Sequence, residues 1–323
     1  MMRRNFTGSQ SYSQRSSDKK KDDETNAPNN PEWINCRERS NTFALSLIVW
    51  IALRLGRPVA RLLLYPIVFY FLVFSVKARA ASRNYLAKVL DRKVTIADLF
   101  RHFHTFGSTI LDRVFLLNDQ YSRFDVRIHG SEIVDAVAAS GDGCFMLGAH
   151  LGSFEIVRSL GREARGLRVS LVMYEENAKK MNGVLAAINP KLCMQVIALG
   201  KVESMLKVEE ALNEGAFVGM LSDRTIEGEG TTTCRFLGEE ARFPLGPFRL
   251  AAMLQRPIVL MTGLYRGGNR YDIYFEQLAD MGQVDRRQRS AAAEAALQCY
   301  VERLEHYCRM APYNWFNFYD FWK

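Results

Sequence analysis

The residue types best suited to catalysis stand where an apolar run gives way to small residues. Residues 146–155 read MLGAHLGSFE, in which His150 and Glu155 are five positions apart. Five residues turn through about 140° of a regular helix, so the two side chains cannot share one helical face. They can meet only if His150 precedes a helix that begins near Phe154 and the chain turns at Gly152.

In that geometry Glu155 would accept a hydrogen bond from the His150 imidazole, and Ser153 would cap the helix. A carboxylate in this position fixes the tautomer of the ring and stabilises its protonated form, as a general base acting on a hydroxyl requires. Backbone N–H groups at the helix start would stabilise an oxyanion. The residues alone leave a structural interpretation open, in which His150 is a hydrogen-bonded histidine at a strand end and Glu155 a carboxylate favoured by the helix dipole.

The alternation of patterns along the chain predicts the elements that position this pair. Runs rich in β-branched and aromatic residues predict strands at DVRIHG, CFMLGAH, LRVSLVMY, MQVIALG, AFVGMLSD, PIVLMTGLY and YDIYFEQL. Helical patterns lie between them at FEIVRSLGREA, ENAKKMNGVLAAI, KVESMLKVEEALNEG and LGPFRLAAMLQ, and Gly215 is a predicted C-cap. This order predicts an α/β fold with a mixed, mostly parallel sheet flanked by helices. His150 would then stand at the carboxyl end of a buried strand, where open α/β sheets bind ligands.

The N-terminal part of the chain differs in composition from the rest. Residues 1–40 are polar and predict a disordered tail without the apolar core of a secretory signal. Residues 41–77 predict a membrane anchor or interfacial helices, and residues 78–323 a globular domain. The apolar runs 43–53 and 62–76 are each shorter than the roughly 20 residues that a membrane-spanning helix needs.

Three arginines between these runs, Arg54, Arg57 and Arg61, disfavour a single span. We therefore expect two half-length helices with arginines at headgroup level. A buried helical hairpin in a soluble core is the alternative.

The composition narrows the class of partner. A net charge of +8 and a pI near 9.2 favour an anionic partner, such as phospholipid headgroups, an acidic carrier protein or nucleic acid. Nucleic acid is disfavoured because the basic residues are scattered among acidic ones. The six cysteines form no C-x-x-C pair, which indicates neither a zinc site nor a disulfide framework. The chain also lacks G-x-S-x-G and G-x-x-x-x-G-K-[ST], the patterns of serine esterases and of phosphate-binding loops.

Two further groups are candidate substrate-binding residues. Asp223 and Arg224 follow the apolar run AFVGML and are predicted at the same sheet edge as His150. A polar turn with a local salt bridge is the alternative. Arg158, Arg162 and Arg165 recur at i, i+4 and i+7 on one helical face, which suits an acidic carrier protein or a lipid phosphate. The alternative there is an ordinary solvated face.

The segment GAHLGSFE resembles a pattern of one histidine, four intervening residues and one acidic residue. The acyltransferases that add the late acyl chains of lipid A share it with related lysophospholipid and mannoside acyltransferases. The similarity includes the N-terminal anchor, ASRNYL and LSDRTIEGEGTTTCRFLGEEARFPLGPFRLAAMLQRPIV. The polar tail is longer than the usual start of the family.

The resemblance implies a glycerolipid-acyltransferase-like fold and makes residues 78–323 an acyltransferase domain at the cytoplasmic face of the inner membrane. It implies transfer of an acyl chain from an acyl carrier protein or acyl-CoA thioester to a hydroxyl of a lipid or glycolipid. His150 would be the general base and Glu155 its orienter, and no metal or organic cofactor is implied. A non-catalytic, membrane-bound lipid-binding or scaffold protein with the same fold is the alternative.

Overall fold

The structure is a computed structural model that describes residues 42–165, 167–174, 188–189, 196–199, 202–225 and 230–323. The helices are α1 (Thr42–Phe74), α2 (Val76–Leu90), α3 (Ile96–Leu116), α4 (Ser131–Ser140), α5 (Phe154–Arg165), α6 (Val202–Asn213), α7 (Gly246–Leu254) and α8 (Arg289–Met310). The strands are β1 (Asp125–His129), β2 (Cys144–Gly148), β3 (Val169–Tyr174), β4 (Val196–Leu199), β5 (Phe217–Leu221), β6 (Thr231–Phe236), β7 (Glu239–Pro244), β8 (Ile258–Gly267) and β9 (Arg270–Ala279). The predicted tail and nearly all of the helix predicted over 176–188 lie outside the described residues.

Seven strands form one sheet in the order β1-β9-β8-β2-β5-β3-β4. Every neighbouring pair is parallel except β8 and β9, which are antiparallel. β2 is buried along its whole length in the middle of the sheet, as its continuous apolar run predicts. The predicted α/β class and all seven predicted strands are confirmed.

The two faces of the sheet pack against different helices. Phe145 and Leu147 of β2 belong to the apolar cluster that includes residues of α2, α6, α7 and α8. Cys144 and Met146 alternate with them and belong to a second cluster that includes α4 and α5. The sequence patterns missed α4, α8 and the β6–β7 hairpin, whose exposed positions dilute the apolar periodicity. Gly215 caps α6 as predicted, with φ +76° and with its N–H donating to the carbonyl of Leu212 at 3.0 Å.

Helix α1 is broken at Gly56, whose φ of 84° and ψ of 168° are not helical. The helix is therefore kinked between the two apolar runs, and the prediction of two half-length helices in the membrane stays a prediction. The arginines differ from the prediction, because Arg57 donates to both carboxylate oxygens of Asp112 in α3, at 2.7 and 2.8 Å. Arg61 donates to the hydroxyl of Tyr265 and the carbonyl of Gly268. Two of the three arginines thus face the globular domain, where an ion pair and carbonyl oxygens lower the cost of holding them near apolar residues.

Candidate active site

The ends of two neighbouring parallel strands bring His150 and Asp223 together. Gly148 of β2 is in register with Leu221 of β5, and each candidate residue lies two positions beyond its strand's member of that pair. The ladder continues past the strands, because Ser222 N–H donates to the Gly148 carbonyl at 2.9 Å. Residues that are 73 positions apart in sequence therefore meet at one sheet edge.

The Asp223 carboxylate holds the His150 ring. Its Oδ1 lies 2.8 Å from Nδ1 of the imidazole, and its Oδ2 accepts the backbone N–H of His150 at 3.1 Å. An ionised carboxylate only accepts hydrogen bonds, so Nδ1 carries the proton and Nε2 presents a lone pair. Asp223 is fully buried, whereas 30% of the His150 side chain remains accessible. A hydroxyl group can thus approach the ring from the side opposite the carboxylate.

The turn after His150 depends on Gly152, as the sequence predicted. Gly152 has φ +71°, and a Cβ atom there would lie 2.0 Å from the carbonyl oxygen of Gly263. Any other residue would therefore clash with the β8 backbone and strain the left-handed conformation. Ser153 precedes α5 as expected, but its buried hydroxyl has no hydrogen-bond partner among the described residues, so the predicted side-chain cap does not form.

Glu155 is placed differently from the prediction. Its Oε1 forms an ion pair with Nε of Arg113 in α3 at 2.9 Å, and the side chain is nearly fully buried. The angle at Nε does not meet hydrogen-bond geometry, so the contact is a charge pair. Within the described residues no hydrogen bond joins Glu155 to His150. The helix directs Glu155 toward α3, while the adjacent strand supplies a carboxylate directly at Nδ1.

Asp223 and Arg224 lie at the predicted sheet edge, but Asp223 is too buried to contact a substrate directly. Four hydrogen bonds from His150, Trp315 and Asn317 satisfy its buried oxygens. Arg224 is half-buried, and its Nε donates to Oδ1 of Asn317 at 2.7 Å. Its guanidinium also lies over the Tyr319 ring, 5.6 Å from the centroid.

Burial and charge set the protonation states of the pair in opposite directions. Burial lowers the pKa of His150 most, Arg224 and Arg113 lower it further, and Asp223 raises it, with a net pKa below the usual 6.5. Burial raises the pKa of Asp223, but the contacts with His150 and the charge of Arg224 outweigh it and hold that pKa well below its usual range. At neutral pH the pair is therefore a carboxylate beside a neutral imidazole.

The sequence patterns missed Trp315 and Asn317, which complete the site from the C-terminal segment. Trp315 Nε1 and Asn317 Nδ2 each donate to Oδ2 of Asp223 at 3.0 Å. The string NWFN places two such donors on alternate residues of an extended chain. That spacing is the only signal in the sequence, and it gains meaning only beside a buried carboxylate.

The predicted arginine face of α5 is described in part. Arg158 is half-buried and lines an apolar cleft between α5 and the sheet together with Phe154, Val157 and Met261. Arg162 and Arg165 belong to α5, but their side chains lie outside the described part of the structure. The docking role of the three arginines stays a prediction.

Comparison with known protein families identifies the family of the chain. The profile of the family described as bacterial lipid A biosynthesis acyltransferase matches residues 34–323. The chain belongs to this family. Comparison with individual curated proteins finds no match. The residues that match the lipid A acyltransferase family include α1 and both strand ends that carry His150 and Asp223.

The described residues of this lipid A acyltransferase family member contain no group of three His, Cys, Asp or Glu side chains that could hold a metal ion. They include one helical stretch, Val49–Phe74, that is long and apolar enough to cross a membrane. Only 22% of its most apolar 18-residue segment is buried in the protein. The stretch is therefore a candidate membrane anchor.

Proposed function

We propose that the protein transfers an acyl chain from a thioester, carried by acyl carrier protein or coenzyme A, to a hydroxyl of a lipid or glycolipid, with His150 as the general base. The observation that carries this proposal is the fixed Asp223–His150 pair, in which 30% of the imidazole side chain remains accessible. A protein that only bound lipid would have no need for an imidazole held in one tautomer beside a buried carboxylate. The family membership supports acyl transfer as the reaction.

The reaction needs only one proton acceptor, because a thioester is already activated. Nε2 of His150 removes the proton from the acceptor hydroxyl as the oxygen attacks the thioester carbonyl. The new C–O bond forms, the tetrahedral intermediate collapses, the C–S bond breaks, and the thiolate takes the proton back from the imidazolium. Asp223 stabilises the imidazolium in between, as the carboxylate of a catalytic triad does.

The oxyanion of the intermediate is stabilised by the positive end of α5. The N–H groups of Gly152 and Ser153 donate to the carbonyls of Asn314 and Gly263 and are therefore occupied. The first-turn amides from Phe154 onward carry the partial positive charge of the helix start. The positive charges of Arg113 and Arg224 lie close enough to lower the pKa of His150 and favour a developing anion at the same place.

Lipid acceptors reach the site from a membrane-facing surface. Helix α1 exposes large apolar side chains along its length, among them Trp50, Leu62, Phe69, Tyr70 and Phe74. Next to it, Phe106 of α3 is 37% exposed and lies 5.2 Å from the Phe316 ring, centroid to centroid. Phe316 donates its backbone N–H to the His150 carbonyl. Apolar side chains thus lead from the exposed face of α1 and Phe106 to the buried Phe316 at the edge of the site.

We further propose that α1 lies within one leaflet of the membrane and does not cross the bilayer. Its buried positions recur every four residues, at Ala60, Leu64, Val68 and Leu72. Leu64 and Val68 face Gly107 of α3. Helix α3 buries Asp112 and His102 in the globular domain, so α1 cannot cross a bilayer without withdrawing from this contact. An amphipathic helix fixed to the domain suits interfacial binding at the cytoplasmic face of the inner membrane.

The function is tested with purified protein in detergent, acyl carrier protein charged with radiolabelled dodecanoate and, in parallel, dodecanoyl-CoA. A lipid extract from Gram-negative outer membranes supplies the acceptor. We expect label to move into lipid, and His150→Ala to lower kcat by roughly 10²- to 10⁴-fold while the melting temperature stays within a few degrees. The rate should rise with pH through one ionisation below pH 6.5, because burial and the nearby arginines lower the pKa of His150.

Near-normal turnover by folded His150→Ala would refute the assignment of the base. If neither donor labels lipid, the lipid-binding or scaffold function is favoured instead.

The position of α1 is tested by labelling cysteines at its two ends. Cys36 precedes the helix, and Val76→Cys introduces a thiol just after it. Each of these two thiols is kept in turn while the other cysteines of the chain are replaced by alanine. A membrane-impermeant maleimide should label neither thiol in spheroplasts and both in lysed cells. Labelling of one end in spheroplasts would show that α1 spans the membrane.

A further inference from the structure

The C-terminal segment, residues 312–323, follows α8 and passes through the active site. Leu151 and Trp315 form an antiparallel bridge, in which Gly152 N–H donates to Asn314 at 2.8 Å and Phe316 N–H donates to His150 at 2.7 Å. These two bonds hold the backbone on both sides of Leu151. The position of the catalytic turn therefore depends on residues more than 150 positions later in the chain.

The same segment supplies two of the three N–H groups on Oδ2 of Asp223. Trp315 Nε1 and Asn317 Nδ2 donate at 3.0 Å each, and the His150 backbone donates the third bond. A carboxylate held by one hydrogen bond can rotate about its terminal torsion. With Oδ2 fixed by three donors, Oδ1 remains directed at Nδ1 of His150.

Neither donor is accessible to substrate. Trp315 is 0% exposed and Asn317 is 2% exposed. The indole packs against Tyr85, Phe236 and Phe321 at ring distances of 4.9, 5.3 and 4.8 Å. The backbone carbonyl of Trp315 forms a hydrogen bond with Nε2 of the buried His102 at 2.8 Å. These contacts give the indole N–H one fixed direction, toward Asp223.

We propose that Trp315 and Asn317 are positioning residues for acyl transfer, which hold the Asp223 carboxylate in the orientation that His150 requires. The inference rests on the proposed function, because it assumes that His150 is the base. The proposal gives the C-terminal aromatic segment a role in the reaction in addition to its packing in the core. Asn317 also links this network to Arg224, because its Oδ1 accepts a hydrogen bond from Nε of Arg224.

Trp315→Phe and Trp322→Phe form a matched pair for testing this role. Both changes replace an indole by a smaller ring in the same segment, but Trp322 Nε1 has no hydrogen-bond partner among the described residues. Trp315→Phe should lower kcat about tenfold, since hydrogen bonds to charged groups are worth more than neutral ones. Trp322→Phe should leave kcat within about twofold. The KM for dodecanoyl carrier protein should not change in Trp315→Phe, because that indole is fully buried.

A second variant, Asn317→Asp, keeps an acceptor for Arg224 and replaces the donor to Asp223 by a carboxylate oxygen. Its kcat should fall more than that of Trp315→Phe, and the acid limb of its rate profile should move, because a negative charge next to Asp223 stabilises the imidazolium. The His150 Nδ1 proton resonance should shift in Trp315→Phe and Asn317→Asp and remain in place in Trp322→Phe.

Three outcomes would overturn the proposal: equal kcat in the two tryptophan variants, losses that match the fraction of unfolded protein, or an unmoved His150 resonance in Trp315→Phe and Asn317→Asp. These failures are distinguishable from failure of the proposed function, which would show as an active His150→Ala enzyme. If His150→Ala is inactive while Trp315→Phe equals Trp322→Phe, only the positioning role is wrong.

Discussion

Asp223 and His150 are joined through both the side chain and the backbone of the histidine. Oδ1 of the carboxylate lies 2.8 Å from Nδ1, and Oδ2 accepts the histidine N–H at 3.1 Å. The carboxylate is therefore fixed relative to the ring and to the strand end that carries it. In the proposed reaction, Asp223 therefore takes the orienting role that the sequence suggested for Glu155, which pairs with Arg113 instead.

The two carboxylates should respond differently to neutralisation. Asp223→Asn should lower kcat by about 100-fold or more, because the imidazolium loses its counter-charge. Glu155→Gln should cost about tenfold or less in kcat but reduce the melting temperature, since it leaves the Arg113 guanidinium partly buried without its carboxylate. Steady-state kinetics and thermal unfolding of both variants test this. A larger kcat loss in Glu155→Gln at unchanged melting temperature would return the orienting role to Glu155.

The docking of α1 should depend on Arg57. Arg57→Gln leaves the fully buried Asp112 without its charge partner and should destabilise the protein by about 3 kcal/mol. Arg54→Gln is the matched control, because Arg54 is exposed on the same helix. Denaturant unfolding in detergent measures both, and limited proteolysis near Gly56 reports whether α1 detaches. Equal stability of the two variants would contradict an energetic role for the Arg57–Asp112 pair.

The buried His102 should make stability depend on pH. Burial away from water lowers the pKa of His102 from 6.5 to about 4 and outweighs the hydrogen bond to the Trp315 carbonyl, which raises that pKa. The neutral form is favoured by folding, so its contribution is complete above pH 6.5 and is lost as the pH falls toward 4. The loss should be about 1.4 kcal/mol per pH unit in that interval.

His102→Gln retains a donor and an acceptor but does not titrate. Between pH 6.5 and 5 the native protein should lose about 2 kcal/mol more stability than this variant. Unfolding curves measured at both pH values test the difference. Parallel pH dependence of the two proteins would show that His102 does not resist protonation in the folded state.

The arginine face of α5 should matter only for a protein-borne donor. Because Arg158 lines an apolar cleft, Arg162→Glu and Arg165→Glu are combined first, and Arg158→Glu is added afterwards. The KM for acyl carrier protein thioester should rise more than the KM for a short soluble thioester, with the difference shrinking at high salt.

Three exposed arginines elsewhere, Arg270, Arg286 and Arg287, provide a charge-matched control. Their reversal should raise neither KM by more than about twofold. If the α5 variants affect both donors equally, the face does not bind the carrier.

Local sequence determined the elements on which the site stands. A continuous apolar run specified β2 as a buried strand, and the small residues after it specified the turn at Gly152 and the start of α5. The two apolar runs of the N-terminal region and the cap at Gly215 were equally predictable, whereas the position of the break at Gly56 was not. These features depend on residues within one or two turns of each other, so backbone preferences and burial suffice to predict them.

Only the tertiary structure decided which groups meet at His150. Asp223 reaches the ring because β5 lies beside β2 in the strand order, and a strand order cannot be read from apolar periodicity. Trp315 and Asn317 reach Asp223 because a buried carboxylate must have its acceptors satisfied, and the nearest donors come from the opposite end of the domain. Glu155 pairs with Arg113 for the same reason, since a buried carboxylate needs a partner and Arg113 of α3 lies beside it. Buried charges pair with the groups that lie nearest to them in the folded chain, and local sequence does not specify which groups those are.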